Sequence, residues 1–354
     1  MVRLSWIPFV FASLSVAVET TQHSTREAAC TVKVQHKPWQ MLTSAERTAY
    51  INAELCLMEA PTRLNVAGSK TLWDDLQWAH ILQANVMHDV GHFLPWHRYF
   101  FVVHGNLLRE ECGYTGPLPY WDETADASLS DLSRSPVFQN TAFGGTGSGA
   151  QSYITTGPFA SLALRMRRPG QSASNYRISR SLNVRSLASA RQASLDACFQ
   201  MTTYTAAWEC WGGSPHGAGH GATGGLMVDV FASPGDPVFY LHHGWLDAMW
   251  WKWQTLDLPG RLTDMGGRNV PRLSYVQRLG TGLPGREWTD YHGERGNITT
   301  LNHILSVNEL APNVTVGNVM DVGGSVVCAD YIFSNSFNAT INTIVDGFMT
   351  TFTE

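Results

Sequence analysis

Histidines are the residues in this chain best suited to chemistry, and they are bunched. Five of the 13 fall between His80 and Glu111, in the stretch HILQANVMHDVGHFLPWHRYFFVVHGNLLREE. Among these, His80, His88 and His97 are the candidate ligands. A second bunch lies far downstream, at His216, His220 and the adjacent pair His242–His243. Two bunches that can each supply three imidazoles point to two metal ions sharing one pocket. Neutral imidazole suits copper, zinc and iron. Three imidazoles per metal, with no cysteine or carboxylate, leave a position open for an exogenous ligand; a structural zinc site is usually closed and uses cysteine. Uncharged ligands also favour a metal that cycles between a singly and a doubly charged ion, which argues for copper and O2 chemistry. Any one of these histidines alone reads more simply as a core imidazole bonded to backbone. The joint pattern carries the metal reading.

The elements that must hold these residues are mostly helices. Apolar spacing predicts a helix over Leu72 to Asn85 carrying His80. Pro95 suits the first turn of a helix running to Glu111, with His97, Phe101 and Leu108 along one face and Gly113 stopping it. His216 and His220 are four apart and share one face of a helix. Asp236 and Pro237 read as N-cap and first residue of a helix continuing VFYLHHGWLDAMWWKWQ. That helix puts Phe239, His243, Leu246, Asp247 and Trp250 on neighbouring positions of one face. An earlier helix starts at the capping box Thr43 to Glu46 and ends by Pro61. Residues 18–38 read as extended. Residues 140–150, NTAFGGTGSGA, read as a flexible loop. Short strands are expected in Ser325 to Phe333 and Thr340 to Val345. The expected fold is mainly α: a central four-helix bundle with short peripheral β-strands and long loops. Histidines on facing helices of a bundle are a recurrent way to build a dinuclear site.

Composition sets the outer limits. Hydrophobic residues are 44% of the chain and charged residues 15%, with 13 tryptophans, so a large aromatic core is available. A formal charge of −5 gives no electrostatic case for nucleic acid or a membrane surface. Residues 1–17 read as a signal peptide: Arg3, an apolar run from Trp6 to Leu14, then Ser15-Val16-Ala17. That run is too short to span a bilayer. The remaining 18–354 read as one domain of a secreted protein. Six cysteines fit disulfides in an oxidising compartment. Cys30 with Cys328 and Cys198 with Cys210 are the suggested pairs, and the pairing stays open. Asn297, Asn313 and Asn338 are candidate N-glycosylation sites.

Two signatures give the chain a family likeness. His88-x8-His97 with Phe93-Leu94-Pro95-Trp96-His97-Arg98 resembles the copper A signature of tyrosinases and catechol oxidases. Asp236-Pro237-x-Phe239-Tyr240-x-x-His243-x-x-x-Asp247 resembles their copper B signature. The pair His216-x3-His220 stands where that family carries its first two copper B ligands. Cys112-Gly113-Tyr114, Pro119-Tyr120-Trp121-Asp122 and Gly157-Pro158-Phe159 extend the likeness over roughly residues 36–330. The chain is similar to the secreted short tyrosinases of fungi.

The resemblance implies copper A on His80, His88 and His97, and copper B on His216, His220 and His243. It implies O2 as co-substrate and oxidation of o-diphenols to o-quinones, with small phenols as partners. It further implies that Asp247 orients an imidazole and that Arg98 anchors the C-terminal part of the domain near Tyr331. His92, His104 and His242 match no ligand position and read as structural or supporting; His36, His292 and His303 lie outside both bunches. Four positions depart from the family pattern. Val86 stands where many members have a cysteine bonded to a histidine. Gly105 replaces a usual acidic residue. Gly217 and Gly221 follow the first two copper B ligands, where members that hydroxylate monophenols often carry Asn after the first. That Asn, with a nearby Glu, is proposed to hold a water that deprotonates phenol; Glu209 is the candidate Glu here. The glycines leave room for substituted rings such as methoxylated phenols. Ending at Glu354, the chain is expected to lack the C-terminal lid domain of larger members.

Three other readings compete: a full tyrosinase that also hydroxylates monophenols, a hemocyanin-like O2 carrier, and a dizinc hydrolase. The last usually needs a bridging carboxylate, and none is evident in the two bunches. The acid-free stretch from Leu132 to Leu195, with eight arginines, reads as a solvated basic face. Its alternative is a rim that attracts anionic phenols.

Overall fold

Thr43 and Thr71 each open a helix by the same device. In both, the threonine hydroxyl accepts from the backbone N–H three residues on, and the acid there accepts from the threonine N–H. Such a cap contributes about 1 kcal/mol. The helices are α1 (Ser44–Leu57) and α2 (Leu72–Met87). The second runs two residues beyond the expected Asn85. The computed structural model describes residues 30–171, 175–286 and 296–334. The signal peptide, Thr340 to Val345, His292 and Asn338 lie outside the described residues.

α2 ends where His88 turns extended, at φ −102° and ψ 152°. Helix α3 (Phe93–Cys112) starts two residues before Pro95 and ends at Gly113, whose φ of 63° is the left-handed closure glycine permits. Downstream lie α4 (Glu123–Asp126), α5 (Gln192–Phe199), α6 (Tyr204–Trp211), α7 (Ser214–Thr223), α8 (Val238–Thr255), α9 (Leu273–Arg278) and α10 (Val316–Val319). α3 packs on α1, α2 and α8, and α7 packs on α8. The fold is mainly α, as expected. Strands are short: β1 (Val34–Pro38) runs parallel to β2 (Leu118–Tyr120) on one side and β5 (Ala329–Tyr331) on the other, pairing His36 with both Leu118 and Tyr331. β3 (Ile304–Leu305) and β4 (Val314–Thr315) form a small antiparallel pair. Gly105 is explained here, because a Cβ on it would lie 2.4 Å from Leu118 Cδ1.

A single large apolar cluster joins the helices, with Trp73, Trp96, Trp121, Trp211, Trp245, Trp250 and Trp253 fully buried. Three disulfides tie it together: Cys30–Cys328, Cys56–Cys112 and Cys198–Cys210. Both suggested pairs are present. No helix among the described residues is long and apolar enough to cross a membrane. Asn297 and Asn313 are exposed.

Three expectations are corrected. The arginine-rich stretch is not simply a solvated face. Arg180 is fully buried, donating to both Asp236 oxygens at 2.7 Å and to the carbonyls of Phe143 and Gly144. Residues 140–150 are not a free loop either, since Phe143 is buried and those two carbonyls hold Arg180. α8 starts one residue later than expected, at Val238 with Pro237 before it; Asp236 accepts from Val238 N–H at 3.0 Å, and its carboxylate is shared with Arg180.

Candidate metal centre

α2, α3, α7 and α8 bring two histidine groups together. The first is His80, His88 and His97; the second is His216, His220, His242 and His243. Within each group one ring nitrogen per residue lies within 4.8 Å of the others. His97 and His243 bridge the groups as stacked rings.

Backbone carbonyls set the tautomers. His80 Nδ1 donates to Phe231 O, His88 Nδ1 to Ala84 O and His97 Nδ1 to Phe93 O, each at 2.9 Å. His220 Nδ1 donates to Met227 O at 2.5 Å. A carbonyl only accepts, so each Nδ1 carries the proton and each Nε2 keeps a lone pair. This is the usual support of a metal-bound imidazole. Burial pushes His88 down to about 4 and His220 and His242 to about 3. His80, His97, His216 and His243 are held well below the ordinary histidine value, chiefly by burial and then by neighbouring imidazoles. All seven are therefore neutral at neutral pH, the form that binds metal.

The donor set fits a pair of copper ions. The Nε2 atoms of His80, His97, His242 and His243 are buried with no hydrogen-bond partner, and the Nε2 atoms of His216 and His220 stand 3.0 Å apart. Buried nitrogens left this way are costly, and a metal in each group would satisfy them. All donors are neutral imidazoles, a set that suits copper.

The sequence reading missed part of the second group. His242 belongs to it, with Nδ1 2.5 Å from Glu123 Oε1 and both residues fully buried. Gly219 makes room for that pair, since a Cβ there would lie 2.2 Å from His242 Nδ1 and 2.4 Å from Glu123 Oε1. Glu123 directly follows the Pro119–Asp122 motif, the one local signal for it. Asp247 does not meet an imidazole: it accepts from Arg98 Nε at 2.6 Å and from the Tyr331 hydroxyl at 2.5 Å. Arg98 also donates to the carbonyls of Val319 and Met320, which makes it the anchor to the C-terminal part. His92 bonds Val86 O through Nε2 and stacks on His303; His104 pairs with Glu54; His36 packs between Phe101 and Tyr331. None of these joins a group.

A cleft of ≈ 530 Å³ opens onto His88 and His216, walled by Phe93 and Trp208 and by Gly212 and Gly213. Phe93 lies edge-on to His216 at 4.7 Å, and Phe239 is tilted 4.3 Å from His243. Gly217 faces open space, with nothing within 4 Å of a built Cβ, while Gly221 would meet only Ser186 at 3.4 Å. Glu209 stands on the cleft but is bound to Arg268 at 2.6 Å.

Comparison with known proteins agrees with this geometry. Residues 70–256 match the common central domain of tyrosinase. A tyrosinase-like protein of Diaporthe leptostromiformis is 29% identical, over 85% of this chain and 80% of its own. An N-acetyl-6-hydroxytryptophan oxidase of Emericella nidulans is 30% identical, over 93% of this chain and 99% of its own. The structure of a mutant polyphenol oxidase from Thermothelomyces thermophila superposes with a TM-score of 0.69 at 26% identity, covering 85% of this chain and 89% of that one. The matched domain holds every histidine of both groups and spans more than half of the chain, which therefore belongs to the tyrosinase family, with a type-3 dicopper centre and O2 as co-substrate.

Proposed function

We propose that this protein is a secreted polyphenol oxidase that uses O2 to oxidise o-diphenols to o-quinones. Copper A is assigned to His80, His88 and His97, and copper B to His216, His220 and His243, with His242 beside them. The carrying observation is that two groups of neutral imidazoles, four of them anchored through Nδ1 to backbone carbonyls, meet at one cleft. When bound, the copper pair supplies the electron transfer between phenol and O2. The chain supplies the rest. Carbonyl anchors aim the Nε2 atoms, Phe239 packs against His243 from within the core, and Phe93 and Trp208 wall the cleft in which an aromatic ring would sit beside His216.

Diphenol oxidation is favoured over monophenol hydroxylation for two reasons. Gly217 offers no side chain to hold a water, and the Glu209 carboxylate is engaged by Arg268. The relative named for N-acetyl-6-hydroxytryptophan supports a substrate with a larger hydroxylated ring system. Three disulfides support an oxidising, extracellular setting. The test is O2 uptake by the copper-loaded enzyme with 4-methylcatechol and then with p-cresol. Uptake with the catechol and little with the cresol is expected. No uptake with the catechol refutes the reading, and comparable uptake with both makes the protein a full tyrosinase.

A further inference from the structure

We infer that Arg278 makes the copper cleft selective for phenols that carry a carboxylate, a substrate class that rests on the polyphenol oxidase reading above. Among the described residues, the cleft mouth carries five charged side chains: Asp89, Glu209, Arg268, Arg272 and Arg278. Four of them neutralise one another. Arg268 reaches Glu209 at 2.6 Å and Asp89 at 3.3 Å, and Arg272 reaches Asp89 at 2.6 Å. Arg278 meets no carboxylate among the described residues; its recorded contact is the ring of Tyr275, 5.8 Å from its guanidinium carbon. Among the described residues, the mouth thus holds one positive charge in excess.

Position makes that charge useful. Arg278 ends α9 and lines two cavities at once, the copper cleft and a neighbouring one of ≈ 670 Å³. A ring seated beside His88 and His216 would share its cleft with this wall. The second cavity adds Arg168, which stacks over Phe231 at 4.4 Å and donates to Leu279 O, again with no carboxylate partner among the described residues. Ile81 and Phe231 give the same cavity apolar surface. An aliphatic linker ending in an anion suits that sequence of surfaces, and a planar guanidinium binds a carboxylate through paired N–H groups. A phenol bearing a short carboxylated side chain is the class selected.

The experiment compares 3-(3,4-dihydroxyphenyl)propanoate with its methyl ester, at low salt, in the copper-loaded wild type and in Arg278→Gln and Arg278→Glu. Arg278 is exposed, so its pairing is worth an exposed ion pair: the acid-to-ester ratio of kcat/KM should fall about 2- to 5-fold in the Gln variant. The fall should be larger in the Glu variant, reside in KM, and shrink as salt rises. An unchanged ratio in both variants overturns the proposal. If neither catechol is oxidised, the oxidase reading fails by itself. The charge proposal is then decided on the same proteins by calorimetric binding of 3-(4-hydroxyphenyl)propanoate against its amide. A preference for the acid that Arg278→Gln lowers supports it; no preference, or no binding, overturns it.

Discussion

The imidazoles of His97 and His243 lie face to face, with ring centroids 4.1 Å apart and planes 10° from parallel. One comes from α3 and the first histidine group, the other from α8 and the second. This contact makes the two groups neighbours in one pocket rather than separate sites, the requirement for two metals to act on one substrate.

Replacing either partner of that stack should uncouple the pair. His97→Gln and His243→Gln each remove a buried Nε2 that has no other partner. Copper, measured by atomic spectroscopy, should fall from two ions toward one per chain, and catechol oxidation by at least about 100-fold, the upper range for loss of a mere supporting contact. A variant that keeps two coppers and full activity would remove that residue from the ligand set.

Glu123 and Gly219 should matter to copper although neither matches a family ligand position. Glu123→Gln removes the carboxylate on His242 Nδ1, and Gly219→Ala drives a methyl into both members of the pair. Copper affinity, read by chelator competition, should drop about 10- to 100-fold in each. Unchanged affinity in Gly219→Ala would show that the His242–Glu123 pair is free to move and does not shape the site.

Asp247 is a stability residue in this account. It neutralises Arg98, which is buried, holds the 319–320 carbonyls and stacks on Trp250 at 3.7 Å. Asp247→Ala leaves a buried, unpaired guanidinium and should cost about 3–5 kcal/mol in urea unfolding. Tyr331→Phe, which removes one hydrogen bond to the same carboxylate, should cost about 1–2 kcal/mol. Equal, small effects would mean that the network is not needed to hold α3, α8 and the C-terminal segment together.

His36 gives a signed pH dependence away from the metal. Burial, with Arg109 and Arg98 nearby, pushes it down to about 3, from an ordinary value of 6.5. The unfolded chain takes up that proton first as pH falls, so the stability is present above about 6.5 and is lost as pH drops toward 3. The slope is about 1.4 kcal/mol per pH unit for one proton. Urea unfolding of His36→Gln between pH 7 and pH 5 should show a shallower fall than the wild type. Parallel slopes would mean that His36 is not buried neutral.

The helices α1, α2, α3, α7 and α8 and six of the seven site histidines were legible because they rest on local rules, whereas the shorter α4, α5, α6, α9 and α10 were not expected. Thr43 caps by a contact three residues away; His216 and His220 share a face by spacing; Gly113 stops α3 through its own backbone. What remained hidden is long-range. Glu123 meets His242 across 119 positions, and Arg180 meets Asp236 across 56. The carbonyls that set the histidine tautomers have no side-chain signature at all. Asp247 has the family spacing for an imidazole partner, yet the fold gives it Arg98 and Tyr331. The arginines at the cleft mouth lie beyond the histidine motifs, in a segment whose Gly- and Pro-rich composition says nothing about where it folds back.

The central claim is a dicopper centre, and metal stoichiometry tests it most directly. The protein, purified after copper loading and removal of loose metal, should contain two copper ions per chain. One copper per chain, or zinc in preference to copper, would contradict the account and show that one of the two histidine groups is not a copper site.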